Sequence, residues 1–132
     1  NDDSYLLQLR DKNPSIVYPG CWGVFGGSIE TGESPSEAIA RELQEEIHYV
    51  PEEIHEFRQY RQQNRWINVC YGKIAAPVSE LRLQEGMDLG LFPVKEISKG
   101  QLFSQKLQNY FPVPSTLQEY FQDFLHWTKE DF

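Results

Sequence analysis

Residues 26–47 read GGSIETGESPSEAIARELQEEI, and six of them are glutamates. Glutamates four residues apart on a helix repel each other by roughly 0.2–0.5 kcal/mol per pair, so this segment loses stability unless something offsets the repulsion. Water can do so, and so can a metal ion, because Mg²⁺ and Mn²⁺ prefer oxygen ligands and often bridge to substrate phosphates. The segment therefore indicates either a solvated acidic surface or a divalent metal site.

The acidic segment carries a helix start signal. Ser34 has the side chain of an N-cap, Pro35 suits the first helical position, and Glu37 is the glutamate of a capping box. The spacing predicts a helix that begins at Pro35.

On that helix, three carboxylates share one flank. At about 100° per residue, Glu42, Glu45 and Glu46 fall within about 100° of one another, beside an apolar stripe. The stripe contains Ile39, Leu43 and Ile47. Before the helix, Gly26 and Gly27 lack side chains, so a backbone carbonyl there can approach a bound ion closely.

Strands must position this loop and helix. Strand patterns occur at residues 5–10 and 21–25, and a hairpin is predicted from residues 53–63 and 65–76, joined by the polar tip QQNR. Residues 88–97 read as a short strand that runs into a turn, and a final amphipathic helix follows Pro114 and Ser115. The interleaved elements indicate a mixed α and β protein.

Composition limits the class of partner. The chain has 132 residues, of which 39% are hydrophobic, and this length suits one domain. A net charge of −8 argues against a nucleic acid polymer, whereas a small phosphate ligand is compatible because a metal can mask the charge locally. The two cysteines form no disulfide framework and no apolar run spans a membrane, so we expect a cytoplasmic protein with no membrane partner.

The beginning of the sequence carries a further expectation. Residues 1–4, NDDS, read as a turn that feeds the first strand, and no initiator methionine is present. We expect that a first strand upstream of this turn is missing from the sequence.

The spacing of the acidic segment resembles a known family. Gly27, Glu33 and the run Arg41-Glu42-Leu43-Gln44-Glu45-Glu46 resemble the Nudix hydrolase signature G-x5-E-x7-R-E-U-x-E-E-x-G-U, in which U is bulky and apolar. The resemblance implies one Nudix hydrolase domain over residues 1–132, with the signature at residues 27–49. The implied fold class is α+β, a Nudix-like α/β/α sandwich with a mixed β-sheet, the loop–helix of the signature and a C-terminal helix.

Two residues depart from the family pattern. His48 stands at the signature's final glycine, where a helix C-cap with positive φ is expected, and we interpret it as structural rather than as a metal ligand. Phe25 stands where the family often has proline, which bears on the substrate class and not on the chemistry.

The resemblance also implies a metal site and a catalytic set. Mg²⁺, or alternatively Mn²⁺, would be held by carboxylates and one backbone carbonyl; these ligands are Glu42, Glu45, Glu46 and Gly26. Arg41 and Glu33 would tie the loop to the helix and orient the carboxylates. The catalytic set comprises Glu33, Arg41, Glu42, Glu45 and Glu85. Glu42 and Glu85 are alternative general bases, and for Glu85 a solvated loop position is an equal alternative.

Substrate contacts are less specific. Arg10 and Arg65 are predicted to bind phosphate, since guanidinium groups contact phosphate oxygens in pairs. Trp22 and Phe25 are predicted to stack on a base, with a place in the core as the alternative. Arginines 58 and 61 and the aromatic residues Tyr18 and Trp66 are weaker candidates of the same two kinds.

In family terms, the reaction is metal-dependent hydrolysis of a diphosphate linkage in a nucleoside diphosphate derivative. The expected small-molecule nucleotide substrate is of the nucleoside triphosphate or nucleotide sugar type. The alternative is a catalytically weak Nudix-fold module that binds a nucleotide or a partner protein. A homodimer stays open.

Overall fold

Strands and helices alternate along the chain. The computed structural model describes residues 4–15, 18–84 and 86–130, with side chains through residue 128. The strands are β1 (Ser4–Leu9), β2 (Trp22–Gly23), β3 (Ile54–Gln62), β4 (Arg65–Gly72), β5 (Asp88–Pro93), β6 (Gln101–Ser104) and β7 (Asn109–Pro112). The α-helices are α1 (Pro35–Ile47), α2 (Val94–Ile97) and α3 (Ser115–Glu130), and a 3₁₀ turn lies at Val78–Glu80.

These elements divide into two compact units. The first unit comprises Asn1–Val24 and Glu85–Phe132, and the second comprises Phe25–Gln84. The acidic loop and its helix therefore belong to the second unit.

The first unit contains a hydrophobic core around β1. This strand pairs with β2 on one side and β5 on the other, both antiparallel, and β6 pairs with β7 as a hairpin. The buried core residues are Leu7, Leu9, Trp22, Ile97, Leu102, Phe111, Val113 and Leu117. Leu117 comes from α3, and Tyr5 of β1 meets Phe121 of the same helix edge-on at 5.0 Å between ring centroids. The apolar stripe of α3 thus packs against the sheet.

The second unit contains α1 and the β3–β4 hairpin, against which α1 lies. Gln63 and Asn64 form the hairpin turn with φ values of 45° and 66°, as a type I′ turn requires. A β-bulge shifts the register between Glu56 and Arg58. The predicted hairpin at residues 53–63 and 65–76 is confirmed.

Most of the other predicted elements are also confirmed. The strand at residues 5–10 is β1, residues 88–97 form β5 followed by α2, and the last helix begins at Ser115. The strand predicted at residues 21–25 is shorter, because only Trp22 and Gly23 pair with β1. The β6–β7 hairpin was not predicted, since its turn, QKLQ, contains none of the usual glycine or asparagine signals.

The predicted α+β class is confirmed, with one correction of detail. Within the described ranges the strands pair only antiparallel, so the mixed sheet that we expected is seen as antiparallel pairs. Residues 1–3 lie outside the described residues and Ser4 already belongs to β1, so the upstream strand stays a prediction. Along the described ranges, every helix is too short or too polar to traverse a lipid bilayer.

Both ends of α1 are capped by local interactions. The backbone N–H of Glu37 donates to Ser34 Oγ at 3.2 Å, and that of Ser34 donates to Glu37 Oε1 at 2.8 Å. At the other end His48 is the C-cap, with φ 54° and ψ 37°, and its N–H donates to the carbonyl of Gln44. The start at Pro35 and the left-handed C-cap at His48 are confirmed.

Because His48 holds a left-handed conformation, His48→Gly should stabilise the protein. Glycine adopts positive φ without the clash of a Cβ, and we expect a gain of about 1 kcal/mol in the free energy of unfolding. His48→Ala keeps the Cβ and serves as the control. Urea unfolding measures both. Equal stability of the glycine and alanine variants would contradict the expectation.

Candidate active site

The loop before α1 is closed by a turn at residues 30–33. The backbone N–H of Glu33 donates to the carbonyl of Glu30 at 3.0 Å, and Gly32 has a φ of 87°. In return, the N–H of Glu30 donates to the Glu33 carboxylate at 2.8 Å. The turn therefore fixes the Glu33 side chain from its own backbone.

Arg41 on α1 joins the helix to this loop. Its Nε lies 2.9 Å from Glu33 Oε2 and its Nη2 lies 3.0 Å from Glu33 Oε1, which makes a bidentate ion pair. Nη2 also donates to the carbonyl of Ser28 at 3.0 Å. The hydrogen bonds from Arg41 lower the pKa of Glu33, and the Glu33 carboxylate raises the pKa of Arg41. Arg41 thus holds two points of the loop against the helix.

Three further carboxylates approach the remaining nitrogen of the same guanidinium. Arg41 Nη1 lies 3.4 Å from Glu42 Oε1, 3.7 Å from Glu30 Oε2 and 3.8 Å from Glu45 Oε1. These distances are longer than those to Glu33, and the Glu30 and Glu45 side chains are 66% and 60% exposed, so each of those pairs is weak. The Arg41 guanidinium therefore lies among four glutamate carboxylates, and its positive charge offsets part of the repulsion among them.

Glu46 lies in a different environment. It is only 6% exposed, next to the fully buried Ile47, whereas the Glu45 side chain is 60% exposed. The backbone carbonyl of Glu46 accepts a hydrogen bond from Gln84 at 2.9 Å, so a distant segment covers this turn of the helix. The three carboxylates predicted on one flank therefore lie in different environments. Glu42 contacts the Arg41 guanidinium, Glu45 faces solvent and Glu46 is buried.

Among the described residues, no three side chains of His, Cys, Asp or Glu are grouped closely enough to hold a metal ion together. The chemistry of the predicted ligands nevertheless fits a hard divalent ion, since all are carboxylate or carbonyl oxygens. Gly27 lets the Glu42 carboxylate approach the loop closely, because a Cβ at position 27 would overlap that carboxylate. At Gly26 an added Cβ would meet no atom within 4 Å, so the loop is open there.

The predicted substrate residues are distributed over both units. In the first, Arg10 lines an open pocket of about 130 Å³ together with Tyr18, Val24 and Pro114. In the second, Phe25 is half-buried, and Arg65 is exposed at the start of β4.

Trp22 lies in the core. It is fully buried, its Nε1 donates to the carbonyl of Leu102 at 3.0 Å, and its ring meets Phe92 edge-on at 4.8 Å between centroids. The ring therefore takes the core alternative, and it also forms part of the wall of the pocket that Arg10 lines.

Glu85, the alternative base, lies outside the described residues. Two residues of the Arg41 network were not predicted: Ser28 contributes a backbone carbonyl and Glu30 contributes both its backbone and its carboxylate. The spacing Glu30-Thr31-Gly32-Glu33 is the signal that could have identified the turn, because glycine at the third position favours it. The Ser28 contact has no sequence signal, since any residue carries that carbonyl.

Comparisons with known proteins identify the family that this chain resembles. The family model described as NUDIX domain matches residues 1–111. Nucleoside triphosphatase NudI of Escherichia coli O139:H28 is 44% identical over 47 residues, which are 36% of this chain and 33% of that relative. The match thus spans about a third of the length of the curated relatives.

Solved structures show the same fold. The MutT protein from Methanosarcina mazei Go1 has a TM-score of 0.66 and 20% sequence identity, covering 98% of this chain and 88% of that chain. The NUDIX domain of Shewanella oneidensis NrtR, solved in complex with ADP ribose, has a TM-score of 0.56 and 22% identity, covering 92% of this chain and 77% of that chain.

The lowered pKa of Glu33 predicts a pH-dependent contribution to stability. A depressed folded pKa stabilises the protein above the unfolded value of 4.5, and this contribution is lost as the pH falls through the folded value. Glu33→Gln should therefore be less stable than wild type at pH 7, and the difference should shrink as the pH falls below 4.5. Urea unfolding over this range measures it.

The matched control for Glu33→Gln is Glu52→Gln, which removes the same charge from an exposed residue of the same unit. We expect little change in its stability at any pH. A Glu33→Gln penalty that stayed constant with pH would contradict the ion-pair origin.

The contact between Gly27 and Glu42 predicts a coupled effect. Gly27→Ala should displace the Glu42 carboxylate, because this flexible side chain yields more easily than the backbone. If Glu42 acts in catalysis, the variant should lose activity while its far-ultraviolet circular dichroism is retained.

A double-mutant cycle with Glu42→Gln checks the origin of that loss. We expect the double variant to be about as active as Glu42→Gln alone, since both changes act on one carboxylate. Additive losses would show that Gly27 acts by another route.

Proposed function

The chain belongs to the NUDIX domain family, and on that premise we propose that it hydrolyses a diphosphate linkage in a nucleoside triphosphate or nucleotide sugar. The observation that carries the proposal is the loop–helix held by Arg41, with the Glu42 carboxylate against Gly27. NUDIX enzymes generally use divalent metal ions, and we propose Mg²⁺, with Mn²⁺ as the alternative.

The residues that would hold this ion are Glu42, Glu45, Glu46 and the carbonyl of Gly26. When bound, the ion would neutralise charge on the phosphate oxygens and lower the pKa of a coordinated water. Arg41 and Glu33 position the ligands indirectly, since their ion pair fixes the loop that carries Gly26 to the helix that carries the carboxylates. We therefore assign Arg41 and Glu33 as positioning residues.

In the proposed reaction, water attacks one phosphorus atom of the diphosphate. The water oxygen forms a new P–O bond, the bridging P–O bond breaks, and the leaving phosphate departs with the bridging oxygen. A carboxylate accepts the proton that the water loses. Glu42 is the candidate base within the described residues, and Glu85 is the alternative outside them.

The substrate class is the less constrained part of the proposal. The name of the relative NudI, a nucleoside triphosphatase, supports a nucleotide, and the exposed Arg65 and half-buried Arg10 are available for phosphate. With Trp22 in the core, the remaining candidates for base contact are Phe25 and the weaker candidates Tyr18 and Trp66. We propose a small-molecule substrate, and neither a nucleic acid polymer nor a membrane as a partner. The single domain, the cytoplasmic location and the homodimer stay predictions.

One observation favours the alternative, a NUDIX module that binds a nucleotide without turnover. Glu46, a predicted metal ligand, is 6% exposed, so protein atoms cover most of the surface through which a metal ion would reach this side chain. The NUDIX domain of NrtR in complex with ADP ribose is an example of a nucleotide ligand in this fold.

A hydrolysis panel with Mg²⁺ or Mn²⁺ tests the proposal. The panel contains nucleoside triphosphates, nucleotide sugars, ADP ribose and dinucleoside polyphosphates, and phosphate or pyrophosphate release is measured. We expect Glu45→Gln to lower kcat about 100-fold without unfolding the protein, because its side chain is 60% exposed. Glu52→Gln is the control, with activity near that of wild type.

Thermal melts at matched ionic strength provide a readout that does not depend on turnover. We expect Mg²⁺ to raise Tm in wild type and not in Glu45→Gln, because the ion binds the folded state. Tight nucleotide binding without turnover across the panel would favour the binding module. Equal Tm shifts with Na⁺ and Mg²⁺ would contradict the metal site.

A further inference from the structure

The β3–β4 hairpin has a local charge opposite to that of the whole chain. Three arginines, at positions 58, 61 and 65, lie on it against one glutamate, Glu56, while the chain carries a net charge of −8. Arg61 and Arg65 are both exposed. The hairpin therefore attracts anions, in contrast to the acidic loop and helix of the same unit.

Arg61 and Trp66 form a cross-strand pair near the hairpin tip. The Arg61 guanidinium lies 5.3 Å from the centroid of the Trp66 ring, and Trp66 is nevertheless 56% exposed. A large aromatic residue with more than half of its surface open is costly to leave in water. The guanidinium lies over the ring, and the part of the indole that stays open, with this cation held against it, suits an aromatic anion.

A pair of amides follows on the same face of the hairpin. Gln59 is the cross-strand partner of Asn68, and its Nε2 donates to Asn68 Oδ1 at 2.7 Å. Residues two apart along a strand share a face, so these amides lie beside Arg61 and Trp66. Because each amide carries both a donor and an acceptor, the pair can also bond to the edge of a base.

The two amides also line a recess at the β-bulge. This surface depression has a volume of about 250 Å³ and is lined by Glu56, Phe57, Arg58, Gln59, Asn68 and Val69. The bulge shifts the register between Glu56 and Arg58, and the recess lies at this irregularity of an otherwise regular hairpin. The recess is smaller than the roughly 300–1,000 Å³ of a typical ligand pocket, so it can accept only part of a small ligand.

We propose that this face of the hairpin is a nucleotide-binding site, defined by Gln59, Arg61, Trp66 and Asn68. Trp66 stacks on the base, the amides of Gln59 and Asn68 bond to its edge, and Arg61 contacts a phosphate. The proposal rests on the proposed function for its ligand class. It requires no metal and none of the glutamates of the loop and helix.

A purely structural role predicts different behaviour. The Arg61–Trp66 contact and the Gln59–Asn68 hydrogen bond would then only hold the two strands in register. Their loss would lower stability without changing the affinity for any nucleotide.

Calorimetric titration of the intact protein with AMP, GMP, CMP and UMP in EDTA separates the two roles. Nucleoside monophosphates have no diphosphate linkage, so binding is measured without turnover. We expect Trp66→Leu to weaken the Kd of the best-bound monophosphate about tenfold. Tyr110→Leu is the matched control, since Tyr110 is 61% exposed and pairs across the β6–β7 hairpin with Phe103. We expect its Kd to stay within about twofold of wild type.

Arg61→Gln provides a second variant in case Trp66→Leu fails to fold, as judged by circular dichroism. It should weaken AMP binding while leaving adenosine binding near the wild-type value, because adenosine carries no phosphate. Inorganic phosphate should bind more weakly than AMP.

Three results would overturn the proposal: no wild-type binding of any monophosphate at millimolar concentration, equal effects of Trp66→Leu and Tyr110→Leu, or phosphate binding as tight as AMP binding. Because the titrations contain no metal and measure no turnover, their failure can be distinguished from a failure of the hydrolysis panel.

Discussion

The bidentate ion pair between Arg41 and Glu33 is the constraint on which the candidate active site depends. Glu33 is held from its own backbone by the turn at Glu30, and Arg41 reaches from the helix to both its carboxylate and the carbonyl of Ser28. A loop of this length would otherwise sample many conformations, and fixing each residue costs about 1–2 kcal/mol. The ion pair restricts the loop before any ligand binds, and it places Gly27 against α1.

The same arginine explains how an acidic helix can keep its charge. Four carboxylates lie within 4 Å of one guanidinium, so the repulsion among them is reduced without loss of any glutamate. Their exposures differ widely, from 16% for the Glu42 side chain to 66% for that of Glu30. Glutamates that are equivalent in the sequence pattern therefore have different freedom to move toward a ligand, and Glu46, which is buried, has the least.

The second unit carries opposite charges on its two elements. The loop and α1 gather carboxylates, whereas the hairpin gathers arginines and an exposed indole. A nucleotide has matching parts: phosphates that a metal or an arginine can neutralise and a base that stacks on an aromatic ring. Both proposals follow from this separation of charge, although they depend on different residues and different chemistry.

The sequence by itself determined the features that depend on neighbouring residues. The capping box at Ser34, the left-handed C-cap at His48 and the hairpin turn arise within a few residues, where backbone geometry leaves few alternatives. The spacing of the signature likewise predicted the loop and helix. The tertiary structure alone decided which side chains are buried: Trp22 in the core, Glu46 inside and Trp66 exposed. It also decided the contact of Gly27 with Glu42. Burial depends on which distant segments pack over a residue, and no local pattern records that.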